Sequence, residues 1–429
     1  MTVSAKPQNP MARVMSLRDF QLLFAGAATS LLGDQFTLIA TPWLVLQLTK
    51  DPMALGIVLA LQGIPRALFM LVGGAITDHF SPRVVMLFAS ITRFFLTISM
   101  AALVFLGLAQ IWMIYLFSLL FGIVAGFAIP AENSIVPMLV KDDDLQAGNS
   151  DIMGVTQLAG FVGPTIAGIL IGGFSNSNLG VFLAFSVDAF TFVISAITLW
   201  LMNLEKPALI SSGTTKEEMI WTAILAGIKH LWSDSPMRMM FIVLMSVNFL
   251  LMGPLMVGIP VLADSRLPEG AMAFGLLMSA FAGGNLGGYL LAGSLPRPAP
   301  GYMKAIVIST VGSFGLIIGL LGFIMYTWVD FALLFLLGFG NGYIAILLFT
   351  WIQTRTPKNM LGRMMSLITF SSTGLAPISQ AVAGFVSKWD LTMLFSLAGS
   401  LVVLVTVWMA LHPDLNTFSA GLVEHPVEA

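Results

Sequence analysis

Apolar windows of bilayer-crossing length follow one another almost without interruption along these 429 residues. A spanning helix needs about 20 consecutive apolar residues. Twelve windows qualify: 21–48, 53–77, 84–108, 112–130, 152–174 and 179–203, then 239–262, 271–295, 303–326, 330–352, 364–387 and 391–411. The first exceeds the need and is expected to begin as an interfacial segment around Ser16–Phe20. Proline and glycine inside the windows do not argue against helix, because membrane helices tolerate both. Charged residues make up only 9% of the chain, against about 25% in a soluble domain. Too little charge remains to cover a water-exposed surface, which excludes a soluble enzyme, a disordered chain and a coiled coil. The expected class is an all-α membrane protein with twelve transmembrane helices.

The basic residues orient it. With the N-terminus in the cytoplasm, Lys50, Arg266 and Lys388 fall outside, Arg66 and Arg93 fall within spans, and the other fourteen of the 19 Lys and Arg fall inside. The positive-inside rule then places both termini in the cytoplasm, and an even span count agrees. The expected location is the cytoplasmic membrane of a prokaryote. A polar stretch from Glu205 to Arg238 divides the windows six plus six, giving halves at residues 1–204 and 239–411, a linker at 205–238 and a cytoplasmic tail at 412–429. In the linker, Met219, Ile220, Trp221, Ile224, Leu225, Ile228, Leu231 and Trp232 recur at helical spacing. That pattern predicts an amphipathic helix on the membrane surface, tethering the halves.

The halves also match each other weakly. Pro164 meets Pro377 at one shift, Asp34 meets Asn248 at the next, and Gly73-Gly74…Pro82-Arg83 meets Gly287-Gly288…Pro296-Arg297. Such duplication predicts a 6+6 pseudo-twofold bundle with its site near the midplane.

Several chemistries drop out. Without cysteine there is no disulfide, thiolate metal site or cysteine nucleophile. His79, His230, His412 and His425 all lie in connectors or the tail, so no histidine metal or haem site is expected inside the apolar part. A net charge of −2 argues against a nucleic-acid partner. No Ser/His or His/Glu set occurs within the spans, and no phosphate-binding glycine loop is present. A membrane enzyme and an ATP-driven pump are therefore disfavoured, and no cofactor is expected.

The turn after the second span reads Gly73-Gly74-Ala75-Ile76-Thr77-Asp78-His79-Phe80-Ser81-Pro82-Arg83. It resembles the motif between helices two and three of the major facilitator superfamily. His79 stands where the family usually has Arg, and Ser81-Pro82 replace a Gly-Arg pair. Paired glycines let a helix approach its neighbour closely, and an Asp at a helix end suits the positive N-terminus of another. The resemblance implies that Gly74, Asp78 and Arg83 form a cytoplasmic latch against the start of helix eleven, near Arg363. The fifth span, Ser150…Ala159…Gly163-Pro164…Ala167-Gly168, resembles the family's antiporter motif. The stretches Phe127–Pro137, Leu145–Asn149 and Leu17–Thr49 resemble its drug and siderophore exporter branch.

A charge at the bilayer centre costs about 2.5–3.5 kcal/mol even on insertion scales, so each one needs a partner or a use. Asp34 lies midway along span one, Arg66 midway along span two, Arg93 in span three and Asp188 in span six. The resemblance places helices three and six side by side. Arg93 is ten residues beyond Arg83 and Asp188 fifteen before Asn203, a depth difference of about 7–8 Å that an arginine can bridge. Arg93–Asp188 is thus expected to be a structural ion pair. Helix one lines the central cavity in the family, and Asp34 sits between Gly33 and Gln35. It is the expected proton site, with Arg66 as its movable modulator; the alternative is a permanent Asp34–Arg66 pair that only fixes helix one against helix two.

By the same resemblance the cavity helices are one, four, seven and ten. Their polar and aromatic candidates are Gln35, Trp43, Tyr115, Ser118, Asn248, Asn341 and Tyr343, with Met245, Met252, Phe121 and Phe339 as adaptable apolar surface. Few fixed charges among Met and Phe point to a lipophilic or amphipathic small-molecule substrate. The expected activity is export of such drug-like compounds in exchange for protons, by alternating access, from a monomer among membrane lipids. A siderophore exporter, an uncoupled facilitator and a lysolipid flippase are the alternatives.

Overall fold

A computed structural model describes residues 9–174, 176–203, 228–229, 231–296, 298, 300–357 and 360–415. Among them every regular element is helical. The elements are α1 (Pro10–Met15), α2 (Arg18–Thr49), α3 (Pro52–His79), α4 (Pro82–Phe105), α5 (Ile111–Leu139), α6 (Leu145–Gly172) and α7 (Ser177–Leu201). After the linker come α8 (Ser235–Gly253), α9 (Ile259–Arg266), α10 (Ala271–Ser294), α11 (Pro300–Leu321), α12 (Thr327–Arg355), α13 (Leu361–Thr369), α14 (Ala376–Trp389) and α15 (Leu391–Leu411). Among the described residues, eleven helices are long and apolar enough to cross a membrane, with Ser235–Arg266 counted as one. The remaining window, Leu361–Trp389, passes through a π-helical turn at Phe370–Gly374 and a bend at Leu375 and is not among the eleven. The predicted amphipathic helix falls largely on 204–227, and most of the tail on 416–429, outside the described residues.

Local chemistry sets the helix ends. Lys50 ends α2 in the left-handed region at φ 49°, and Pro52 opens α3 two residues later. Pro82 starts α4 at the position where a missing N–H costs nothing. Asp234 and Asp390 accept from the Met237 and Thr392 amides at 3.1 and 2.7 Å, capping α8 and α15. On the outer faces, Phe88, Phe95, Leu290 and Leu404 are more than half exposed, which suits surrounding hydrocarbon.

The chain divides into two compact units. The first comprises Met1–Lys50, Val58–Ile210 and Glu269–Ser279; the second comprises Asp51–Ile57, Ser211–Pro268 and Ala280–Ala429. In the first, α7 packs along both α2 and α4, while α6 lies against α2 and α5 against α4. Small residues permit the tightest approaches. A side chain on Gly33 would collide with the Asp188 carboxylate, 2.7 Å from its Cβ position, and with the Thr191 side chain. Only glycine lets α7 come this close to α2.

In the second unit α15 packs along α11 and α8, and α14 along α8. Here two helices are interrupted by π-helical turns, Pro254–Gly258 between α8 and α9 and Phe370–Gly374 between α13 and α14. The Ser379 hydroxyl of α14 accepts from the Gly253 amide at 2.8 Å and donates to the Phe249 carbonyl. Those two groups are an i→i−4 pair of α8. A side chain inserting at that point is a recognised cause of helix bending, and Pro254 follows directly.

Candidate functional site

The first unit holds a recess of about 300 Å³ with both apolar and polar walls. It sits at one end of five helices: the early turns of α2, α4 and α6 and the late turns of α5 and α7. Glu132, Asn133 and Thr156 are exposed at its mouth, and Ser90, Arg93, Ser195 and Thr198 are buried at its floor. Asp34 lines it from α2.

Arg93 is the hub. Its guanidinium faces Glu132 at 3.6 Å, beyond ordinary hydrogen-bond length. It also lies over the rings of Phe121 and Phe192, 5.5 and 5.8 Å from their centroids. Such cation–π contacts hold a guanidinium without discharging it. The charged groups acting on Asp34 are Arg93 and Glu132. Behind Asp34 lies Asp188, fully buried. The Thr37 hydroxyl donates to Asp188 Oδ2, while Oδ1 has no hydrogen-bond partner.

This arrangement departs from the expected pairings. Arg66 forms no ion pair among the described residues, and the base facing Asp34 is Arg93. The reason is connectivity: α2 and α3 are consecutive in sequence, but the helix packed along α2 at this depth is α7, which in turn packs along α4. Arg93 makes its ion pair with Glu132, and the contact made by Asp188 is with Thr37. Glu132 is therefore the partner of Arg93. Arg83 donates instead to the Leu199 and Trp200 carbonyls at 2.6 and 2.7 Å. It thereby serves the unsatisfied, partially negative C-terminal end of α7. Gly74 has open space beside it. The Asp78 and Arg363 side chains lie outside the described set, so the latch assigned to them does too.

The expected cavity residues fall in both units. Gln35 packs its chain against Gly163, and Trp43 lies against Gly270. Ser118 is buried at 1% exposure. Tyr115 is half-buried on α5. In the second unit, the Asn248 amide donates to the Leu244 carbonyl of its own helix at 2.9 Å. Asn341 donates to Asn285 at 2.8 Å, and Tyr343 lines a separate recess of about 220 Å³ with Pro296 and Met303.

Charge counting passed over several residues that complete the polar site. Ser30, Asp34, Thr37 and Thr41 form a stripe at helical spacing along α2, as do Ser90, Arg93 and Thr97 on α4 and Asp188, Thr191, Ser195 and Thr198 on α7. The three helices pack together. That periodicity was the available signal. In the second unit, Asp330 in the first turn of α12 is fully buried with neither carboxylate oxygen hydrogen-bonded.

Residues 23–379 match the model of the Major Facilitator Superfamily, which is most of the chain. The chain belongs to the major facilitator superfamily. Among curated relatives, the enterobactin exporter EntS of Escherichia coli O139:H28 is 28% identical over 367 residues, covering 85% of this chain and 84% of that protein. EntS of Escherichia fergusonii matches equally well. Solved structures carry the same fold at low identity. A bacterial homologue of the iron transporter ferroportin superposes with a TM-score of 0.67 at 17% identity, over 94% of this chain and 99% of that one. A bacterial homologue of the lysosomal transporter Spinster gives 0.64 at 14% identity, over 99% and 100%. As a superfamily member this chain is a multi-pass membrane transporter for a small molecule, and its relatives and structural neighbours are transporters rather than enzymes.

Proposed function

We propose that this transporter exports lipophilic or amphipathic small molecules across a bacterial cytoplasmic membrane in exchange for protons, with Asp34 as the proton site. The observation that carries this reading is the recess: a half-buried acid on α2, facing Arg93, in a partly polar pocket whose mouth is exposed. A buried charge persists only where it has a partner or a use, and here one guanidinium serves several acids. The recess holds about 300 Å³, the lower limit for a ligand pocket. That size favours water and protons there over a drug-sized cargo. The positive-inside count supports termini in the cytoplasm, which puts the recess at the cytoplasmic end.

The deciding experiment uses inverted vesicles, following a fluorescent lipophilic cation while a pH gradient is imposed and then collapsed. Uptake that needs the gradient in wild type and is lost in Asp34→Asn supports the reading. Gradient-driven uptake that survives in Asp34→Asn removes Asp34 from it. The EntS relatives favour a second cargo, a siderophore, and radiolabelled enterobactin in the same vesicles tests it directly.

A further inference from the structure

The second unit carries an open groove of about 580 Å³ between α8 and α15. Ile242, Met245 and Phe249 line it from α8, and Leu401, Leu404 and Trp408 from α15. Leu375, at the bend after the second π-helical turn, lines it as well. Among the described residues, Ser246 supplies the one hydroxyl of an otherwise apolar wall. Leu401, Leu404 and Trp408 are 45, 61 and 42% exposed, so the groove lies on a face that meets hydrocarbon.

One end of the groove is polar. Arg238, Ile242, Met245 and Phe249 recur at helical spacing and share one face of α8, as Leu401, Leu404, Trp408 and His412 do at α15. Each apolar stripe therefore ends in a polar residue one turn further on. The His412 ring stands edge-on to Trp408 with centroids 5.2 Å apart. Arg238 donates to the Trp232 carbonyl at 3.0 Å and to the Ser235 hydroxyl at 3.2 Å, and makes no ion pair among the described residues. The same Ser235 hydroxyl donates to Asp414, whose carboxylate is 3.4 Å from His412 Nδ1. Asp234 is held by Arg355 at 2.7 Å. That leaves Arg238 and Asp414 joined through one hydroxyl, a base and an acid side by side. The positive-inside count puts this end in the cytoplasmic leaflet, and a tryptophan suits that depth.

We infer that this groove is a binding site for a phosphoethanolamine glycerophospholipid, with an acyl chain along α8 and α15, the phosphate on Arg238 and the ammonium on Asp414. Lipid covers any hydrocarbon-facing wall, and the paired charges are what select here. Such a head carries a negative and a positive group a few bonds apart, matching the base and acid joined by Ser235. A guanidinium is suited to phosphate oxygens. The first unit offers the contrast: a groove of about 420 Å³ ends at Trp200, where Arg83 is committed to two α7 carbonyls and makes no ion pair among the described residues. That groove lacks the paired charges. The inference is independent of cargo and of proton coupling.

Native mass spectrometry of the purified full-length protein tests this, reading lipid adducts as phosphatidylethanolamine or phosphatidylglycerol of equal chain length is added. Wild type is expected to hold the ethanolamine lipid the more tightly. Arg238→Gln is expected to weaken that lipid about tenfold, the weight of one charge-assisted hydrogen bond. Asp414→Asn is expected to abolish the preference between the two lipids. Ser246→Phe fills the groove without touching its polar end and is expected to weaken both. Equal binding of the two lipids to wild type overturns the inference, as do undiminished adducts in Ser246→Phe. If Arg238→Gln does not fold, those two readings decide. Binding of the fluorescent lipophilic cation in place of lipid, sensitive to Ser246→Phe, also overturns it and makes the groove a port for cargo.

Discussion

The two units solve the same problem, a polar helix core inside hydrocarbon, by different means. In the first unit α2 runs unbroken for 32 residues, and its core with α4 and α7 holds Asp34, Arg93 and Asp188. In the second, the position matching Asp34 by internal alignment is Asn248, which spends its amide on its own helix, and Asn341 and Asn285 form a neutral pair. The helix carrying Asn248 breaks at a π-helical turn stitched by Ser379. In the first unit the buried acids face a shared guanidinium, whereas the buried Asp330 of the second has neither carboxylate oxygen hydrogen-bonded. A continuous helix satisfies its own backbone and leaves its side chains free for titration. A broken one must commit a neighbour's hydroxyl to its backbone.

Substitutions that exchange these strategies put the contrast at risk. The steepest loss is expected for Arg93→Gln, with gradient-driven transport falling by at least about tenfold because three acids lose the countercharge they share. The parallel Arg66→Gln is expected to stay within about twofold of wild type in the same vesicle assay, on the scale of a residue outside the transfer path. Equal losses in the two variants would return Arg66 to the coupling site. Gly33→Ala comes next, forcing the Asp188 carboxylate and Thr191 away from α2. It is expected to cost about 1–3 kcal/mol of stability in denaturant titration, as overpacking does. Ser379→Ala strips a partner from the Gly253 amide and the Phe249 carbonyl, at a cost of about 1–3 kcal/mol, without altering the pH profile of transport. A shifted profile would mean that the broken helices also take part in coupling. The mildest is Lys388→Ala, which removes an exposed 3.0 Å pair with Asp51 in the second unit. It is expected to change stability by less than about 1 kcal/mol.

Much of the fold could be read from apolar window length alone. The twelfth window and α15 coincide at 391–411, and the first differs from α2 by only a few residues. The fourth stops at 130, whereas α5 continues to Leu139, because Glu132, Asn133 and Ser134 lower the hydropathy without ending the helix. Glu132 lies in that continuation and is the ion-pair partner of Arg93. Asp34, Arg93 and Asp188 stood out because intramembrane charge is costly. Their partners were harder to see, because hydroxyls such as Thr37 and Ser195 carry no charge. Pairing also follows helix packing rather than sequence order, which is how Arg66 came to be chosen. Asp330 was hidden as the edge of a window, although the structure buries it completely.

The hydroxyl stitch in the second unit also bears on biogenesis. Ser379 lies 126 residues beyond the amide it serves, a stretch that takes roughly 6–25 s to synthesise. During that interval α8 sits in the bilayer without its hydroxyl partner. The segment that supplies it, Leu361–Trp389, carries a π-helical turn of its own and a bend at Leu375. The second half therefore closes late, as a mutual rescue of two imperfect helices, and a nascent chain stalled before residue 379 should be the form most exposed to membrane quality control.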